Sequence, residues 1–174
     1  HPRPLKTEKM NTSAIKALYH SFQPIRFGIM LALLFAWSVS ARQYTIRNFR
    51  QEEGIPQAYI YALIQDHAGY LWVGTGNGLV RFNGLRFEVF TVKDSLADNF
   101  VSASASDGKN VWFGHMNGLC TQFNGQEFRK VILPESGGSA VTHMVSGAGG
   151  NTWVSTYNDG IYVLPSGKEA IKHY

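Results

Sequence analysis

The residues most able to do chemistry in this chain are few, and each offers a bland reading beside the reactive one. Gly74–Gly78 reads GTGNG, and glycine-rich loops can cradle phosphate with their backbone N–H groups. A dinucleotide-binding loop, however, needs a third glycine three positions after the second, opening a helix. Leu79 holds that place, an apolar run follows, and no Gly-Lys-Ser/Thr occurs anywhere. Asp66 and Asp107 could be catalytic carboxylates or calcium ligands, but each stands at a turn, where Asp commonly bonds its own backbone. His67, His115, His143 and His173 lack the spacing of a metal site and read as solvated turn or strand residues. The single cysteine, Cys120, lies in an alternating apolar stretch and reads as a small buried side chain. It permits neither an internal disulfide nor a thiolate metal cluster. No catalytic residue, metal or cofactor is assigned.

The elements that carry these residues repeat. Trp72 in GYLWVGTGNGLVRFNG recurs as Trp112 in KNVWFGHMNGLCTQFNG, 40 residues on, and as Trp153 in GNTWVSTYNDGIYVL, a further 41 on. Gly78, Gly118 and Gly160 follow these tryptophans at six, six and seven residues, and a turn precedes each tryptophan. In the first unit YIYALIQ, YLWVGT, LVRF and LRFEVF read as four short strands. Asn77-Gly78 and Asn83-Gly84 separate the later ones, with a type I′ hairpin expected because both of its central residues need positive φ. Helix periodicity is nearly absent after residue 42. A period of about 40 residues with one tryptophan and several turns predicts an all-β body of β-propeller blades. The glycines of GTGNG then become hairpin chemistry: Met116 stands in the second unit for Gly76, and Ser155 in the third for Gly74.

Charge is divided unevenly. Residues 1–41 carry Arg3, Lys6, Lys9, Lys16 and Arg26 against Glu8 alone, whereas the remainder holds eleven basic and eleven acidic side chains. The body offers no basic stripe, which argues against nucleic acid as a partner. In the leader, Met10 reads as a start, and Lys16 and Arg26 precede the apolar run FGIMLALLFAWSVSA. That run has signal-peptide length and is short for a span, with Val39 and Ala41 at the −3 and −1 positions before Arg42. An exported, periplasmic chain is expected, with an uncleaved anchor as the alternative.

The organisation expected is residues 1–41 as upstream residues and signal-peptide helix, and 42–54 as a lone closing strand. Blades follow at 55–94, 95–135 and 136–174, the last truncated. Three four-stranded blades do not close a ring, and seven at this period need roughly 280 residues, so the chain reads as a fragment. Tyr44–Phe49, YTIRNF, would be an outer strand completing the last blade. A short chain whose copies assemble the ring is the alternative.

GIPQAYIYALIQDHAGYLWVGTGNGLVRFNG resembles the two-component regulator propeller repeat, whose pattern runs Gly-Leu-Pro, a strand ending near Asp, a turn glycine, Leu-Trp-hydrophobic-Gly-Thr and Asn-Gly-Leu. Ile55 stands for the usual Leu; His115 replaces Thr in the second unit, and the third lacks the Asp. The resemblance implies the periplasmic sensor region of a hybrid two-component histidine kinase of Bacteroidetes-like type. It further implies oligosaccharide or another small periplasmic ligand as partner, further blades and membrane-linked output domains in the parent chain, and an open question of homodimerisation. The segment itself would be no enzyme.

Propeller ligands are met mainly by loops at one face, here those before each first strand and after each second strand. Residues there that depart from the repeat are the candidates: Gln57, Tyr59, Asn99, Phe100, His115, Met116, Tyr157 and Asn158, with rings and amides suited to a sugar. The three tryptophans could stack on sugars, but their fixed place in the second strand favours packing between blades. A secreted propeller glycoside hydrolase or lyase, or a protein-docking scaffold, remain the other readings. The first needs two carboxylates flanking one bond, and no such pair is evident.

Overall fold

The computed structural model describes residues 45–147, 149–165 and 170–174. The signal-peptide helix expected in the leader lies outside them. Asn48–Tyr174 forms one compact unit, and residues up to Arg47 fall in another.

The described residues form three four-stranded antiparallel sheets, each a simple meander. The first contains β1 (Ile60–Gln65), β2 (Leu71–Thr75), β3 (Gly78–Phe82) and β4 (Phe87–Phe90). The second contains β5 (Val101–Ser106), β6 (Val111–His115), β7 (Leu119–Phe123) and β8 (Phe128–Ile132). The third contains β9 (Val141–Ser146), β10 (Thr152–Thr156), β11 (Ile161–Leu164) and the short β12 (Lys172–His173). The fourth strand of the first blade begins two residues later than expected, because Leu85 and Arg86 belong to the turn: both donate their N–H groups to Asn83 Oδ1.

The expected type I′ hairpins are not what closes β2 onto β3. Thr75 pairs with Gly78, so the turn centres on Gly76 and Asn77, neither of which takes a positive φ. The left-handed residue is the glycine that follows, Gly78 at φ 130° and its counterpart Gly118 at φ 79°. A turn followed by a left-handed glycine is the other common hairpin solution. Asparagine contributes through its side chain: Leu119 N–H donates to Asn117 Oδ1.

Packing follows the repeat. Trp72 is fully buried, its ring 5.4 Å from Phe113, 5.0 Å from Phe123 and 6.0 Å from Phe128, all in the next blade. Leu79, Leu96, Val101 and Val111 complete this inter-blade core. Trp112 lies in the equivalent core with Leu133, Val141, Val154, Tyr162 and Leu164. Each buried indole is held by the turn aspartate ahead of it. Trp72 Nε1–H donates to Asp66 Oδ2 at 2.8 Å, and Trp112 Nε1–H donates to Asp107 Oδ2 at 3.1 Å. The second oxygen of each carboxylate accepts backbone N–H groups of its own turn. Burial pushes the Asp107 carboxyl up, but the bonds from Asn110, Trp112 and Lys109 outweigh it and hold it below its usual value. In the third blade Gly147 takes the turn position and offers no carboxylate, and Trp153 is 44% exposed. Packing between blades therefore holds for two of the three tryptophans among the described residues. The third lies on an open sheet face with Val145 and Ile161.

Residues 45–49 carry no strand assignment. Phe49 nevertheless stands toward the first blade as Phe90 stands toward the second. It lies 5.2 Å from Phe87, as Phe90 lies 5.1 Å from Phe128. The chain then repeats its course: FRQEEGI (49–55) matches FTVKDSL (90–96). Each contains a short 3-10 helix, Gln51–Glu53 and Val92–Asp94, ended by a left-handed residue, Gly54 or Ser95.

Candidate functional site

The loops before the first strands and the turns after the second strands interlock at one end of the blades. Gly78 N–H donates to the Asn99 carbonyl at 2.8 Å, tying the turn of blade one to the approach of blade two. Met116 N–H donates to the Phe100 carbonyl, and Tyr157 N–H to the Ala140 carbonyl at 2.9 Å. Asn158 N–H donates to Ser139 Oγ at 2.9 Å. Backbone groups are thus consumed in fixing the loops.

The eight sequence candidates divide accordingly. Tyr59 (71%), Met116 (48%) and Tyr157 (75%) are exposed at this end, as is Asn158. Gln57, Asn99 and Phe100 are half-buried. Asn99 Oδ1 accepts the Val92 N–H and so braces its own loop. Gln57 lies against the first turn, since a Cβ at Gly76 would run into Gln57 Oε1 and come within 3.4 Å of Phe100. That oxygen is buried without a hydrogen-bond donor among the described residues. Tyr61, which sequence reasoning passed over, adds its ring 4.6 Å from Phe100. It occupies the irregular step between Ile60 and Ala62 where β1 shifts register. A bulge re-aims a side chain, and alternation alone could not place it.

His115 is corrected on both readings: it is neither solvated nor exposed at this end to meet a ligand. All five residues of β6 are buried, and His115 is wholly so. Nδ1 lies 3.2 Å from the Phe100 carbonyl and Nε2 2.7 Å from Thr121 Oγ1, which accepts the Ala97 N–H. The consistent assignment has Nδ1–H donating to Phe100 and Nε2 accepting from the threonine hydroxyl. In the first and third blades the corresponding Thr75 and Thr156 brace their own turns through the Gly78 and Gly160 carbonyls. Histidine instead bolts the second turn to the loop that leads into β5. Burial lowers the His115 pKa to about 4, with the Phe100 carbonyl and the charge of Asp98 opposing. The folded-state pKa is thus depressed below the ordinary 6.5, so the neutral ring's contribution is complete above pH 6.5. It is lost as pH falls from there toward 4. Urea unfolding at pH 7 and pH 4.5 is expected to show this loss, and His115→Thr to reduce it. An equal pH dependence in the variant would exclude the histidine as its source.

At this end exposed rings stand beside amides and hydroxyls, on loops joined by backbone hydrogen bonds. The comparisons with known proteins agree on the architecture. Residues 54–77 match the family described as two component regulator propeller. Over 66 residues, 37% of this chain, the sequence is 32% identical to histidine kinase P4 of Formosa agariphila, of which that stretch covers 5%. The extracellular domain of the hybrid two component system BT4673 from B. thetaiotaomicron is similar in structure (TM-score 0.58, 23% identity), over 71% of this chain and 17% of that one. A streptogramin B lyase is similar in fold (TM-score 0.56, 22% identity), over 70% of this chain and 42% of that one. The chain therefore spans 5% of the histidine kinase and 17% of the BT4673 domain that it matches, and the likeness to the two component regulator propeller family covers residues 54–77, from Gly54 through β2 to the turn that follows it.

Proposed function

We propose that these blades belong to an extracytoplasmic ligand-sensing propeller of a two-component signalling protein, which binds oligosaccharide and relays its presence to a histidine kinase or other output elsewhere in the parent chain. The observation that carries this reading is the meeting of a sensor-family repeat with an end of the blades where departures from that repeat collect. Tyr59, Met116, Tyr157 and Asn158 present rings, a thioether and an amide there, the side-chain types that stack on sugar faces and bond hydroxyls. Export through the leader to the periplasm, an inner-membrane anchor in the parent chain and no catalysis by this segment form part of the same reading. So does closure of the ring by residues 44–49 as the fourth strand of the last blade. Its support is the likeness of Phe49 on Phe87 to Phe90 on Phe128.

The test is calorimetric titration of the complete extracytoplasmic region with a broad oligosaccharide panel. Saturable heat with at least one is expected, and absence of heat across the panel would defeat the glycan reading.

A further inference from the structure

The two loops that break the repeat most in the third blade meet each other. The turn after β10 is one residue longer than its counterparts, carrying Asn158-Asp159 before Gly160. The approach to β9 contains the consecutive left-handed residues Gly137 and Gly138, and Glu135 at φ 61°. Glu135 and Ser95 are the non-glycine residues at positive φ among those described. Strained backbone of this kind collects at functional loops. Tyr157 N–H to the Ala140 carbonyl and Asn158 N–H to Ser139 Oγ join the two loops, while Asp159 N–H donates to Thr156 Oγ1 at 3.0 Å. Between them lies an open concavity of about 440 Å³, lined by both loops. Its volume falls in the range of small-molecule clefts, roughly 300–1,000 Å³.

We infer that this concavity is a subsite for a neutral, unmodified sugar unit, a deepening that rests on the sensing function proposed above. The Tyr157 ring, 75% exposed, is the one large apolar surface of the lining. Its neighbours are the Asn158 amide, the Ser136 and Ser139 hydroxyls and the Asp159 carboxylate. Asp159 Oδ2 accepts the Tyr162 hydroxyl at 2.6 Å, which fixes the carboxylate in place. A ring face beside an amide, hydroxyls and a positioned acceptor suits the C–H face and hydroxyl edge of a pyranose. The lining holds no Lys, Arg or His, and its one formal charge is negative. Phosphate, sulfate and uronate groups would meet the Asp159 carboxylate there, with no cation among the described lining residues to neutralise them.

The experiment titrates the complete extracytoplasmic region with neutral oligosaccharides (cello-, xylo-, malto- and manno-oligosaccharides) and with oligogalacturonates. The wild type is compared with Tyr157→Ala, Tyr157→Phe and Asn158→Ala. Neutral binding should weaken about tenfold or more in Tyr157→Ala, as expected for a lost stacking contact of some 1.4 kcal/mol. It should persist in Tyr157→Phe and fall several-fold in Asn158→Ala. Both sites are exposed, so melting temperatures should stay at the wild-type value and exclude misfolding. Neutral binding untouched in Tyr157→Ala and Asn158→Ala overturns the subsite while leaving glycan sensing intact. Oligogalacturonate bound as tightly as the neutral sugars overturns its neutrality. No binding of any oligosaccharide overturns both the subsite and the reading beneath it.

Discussion

Trp72→Ala is expected to destabilise the blades by about 3–5 kcal/mol, the range for removing a large buried aromatic side chain. Trp153→Ala should cost far less in the same 174-residue chain. The two residues occupy the same position of the repeat, so intrinsic strand preference cannot separate them. Burial does: Trp72 is 0% exposed and Trp153 44%. Trp72 loses its contacts with Phe113, Phe123, Phe128 and Phe90 and leaves Asp66 Oδ2 without the indole donor. Trp153 loses a ring contact with Tyr174 at 6.3 Å and little else of an aromatic kind. Trp112, 5% exposed and bonded to Asp107, should behave like Trp72. Urea unfolding followed by circular dichroism gives the comparison directly. Equal losses at positions 72 and 153 would mean that the open face of the third blade is covered in solution. The same pair of substitutions in a longer chain with a fourth blade should become equal, because the covering sheet then buries Trp153.

Much of this was legible in the residues themselves, because blade architecture is written in types that have few alternative uses. Tryptophan every 40 or 41 residues and a glycine six or seven after it reveal the period, and the strands of the first blade fall within two residues of their expected bounds. The turn type was misjudged because Asn-Gly serves two hairpin geometries, and only the φ values separate them. The FRQEEGI and FTVKDSL match, which registers Phe49 against Phe90, was present in the letters but too weakly similar to be noticed without the paired phenylalanine contacts. For the candidate site, the two loop families were legible and the exposure within them was not. Histidine in place of threonine marked a departure from the repeat at position 115, but a departure points inward as readily as outward, and this one is buried. Here the ring replaces a local turn bond with a bond to the neighbouring loop. Tyr61 escaped notice because register shifts in the first strands cannot be derived from alternation.

Gly114→Ala is expected to cost about 1–3 kcal/mol, the usual range for forcing an extra carbon into a packed core, although glycine is unfavourable in a strand and its removal should otherwise help. Gly114 does not sit at a positive φ, so the requirement is for space and not for conformation. A Cβ there would strike the side chain of Val141, at the start of the next blade's first strand, and come within 3.2 Å of Met144 Sδ. Val141 is 1% exposed and cannot move freely, because Ser102 Oγ–H donates to its carbonyl at 2.6 Å. Gly74 stands in the same relation to Val101, with a Cβ 2.8 Å from Val101 Cγ1 and 3.0 Å from its carbonyl oxygen. In the third blade Ser155 holds the equivalent place, its hydroxyl 2.9 Å from Thr142 Oγ1, where no following strand crosses among the described residues. The clash is therefore a contact between blades, and a double-mutant cycle isolates it. Val141→Ala should be destabilising alone through the cavity it leaves, yet Gly114→Ala/Val141→Ala should be more stable than the sum of the single losses predicts. A coupling near 1 kcal/mol is the expected size for residues in direct contact. Strict additivity in urea unfolding would show that Gly114 is not where the second blade meets the third.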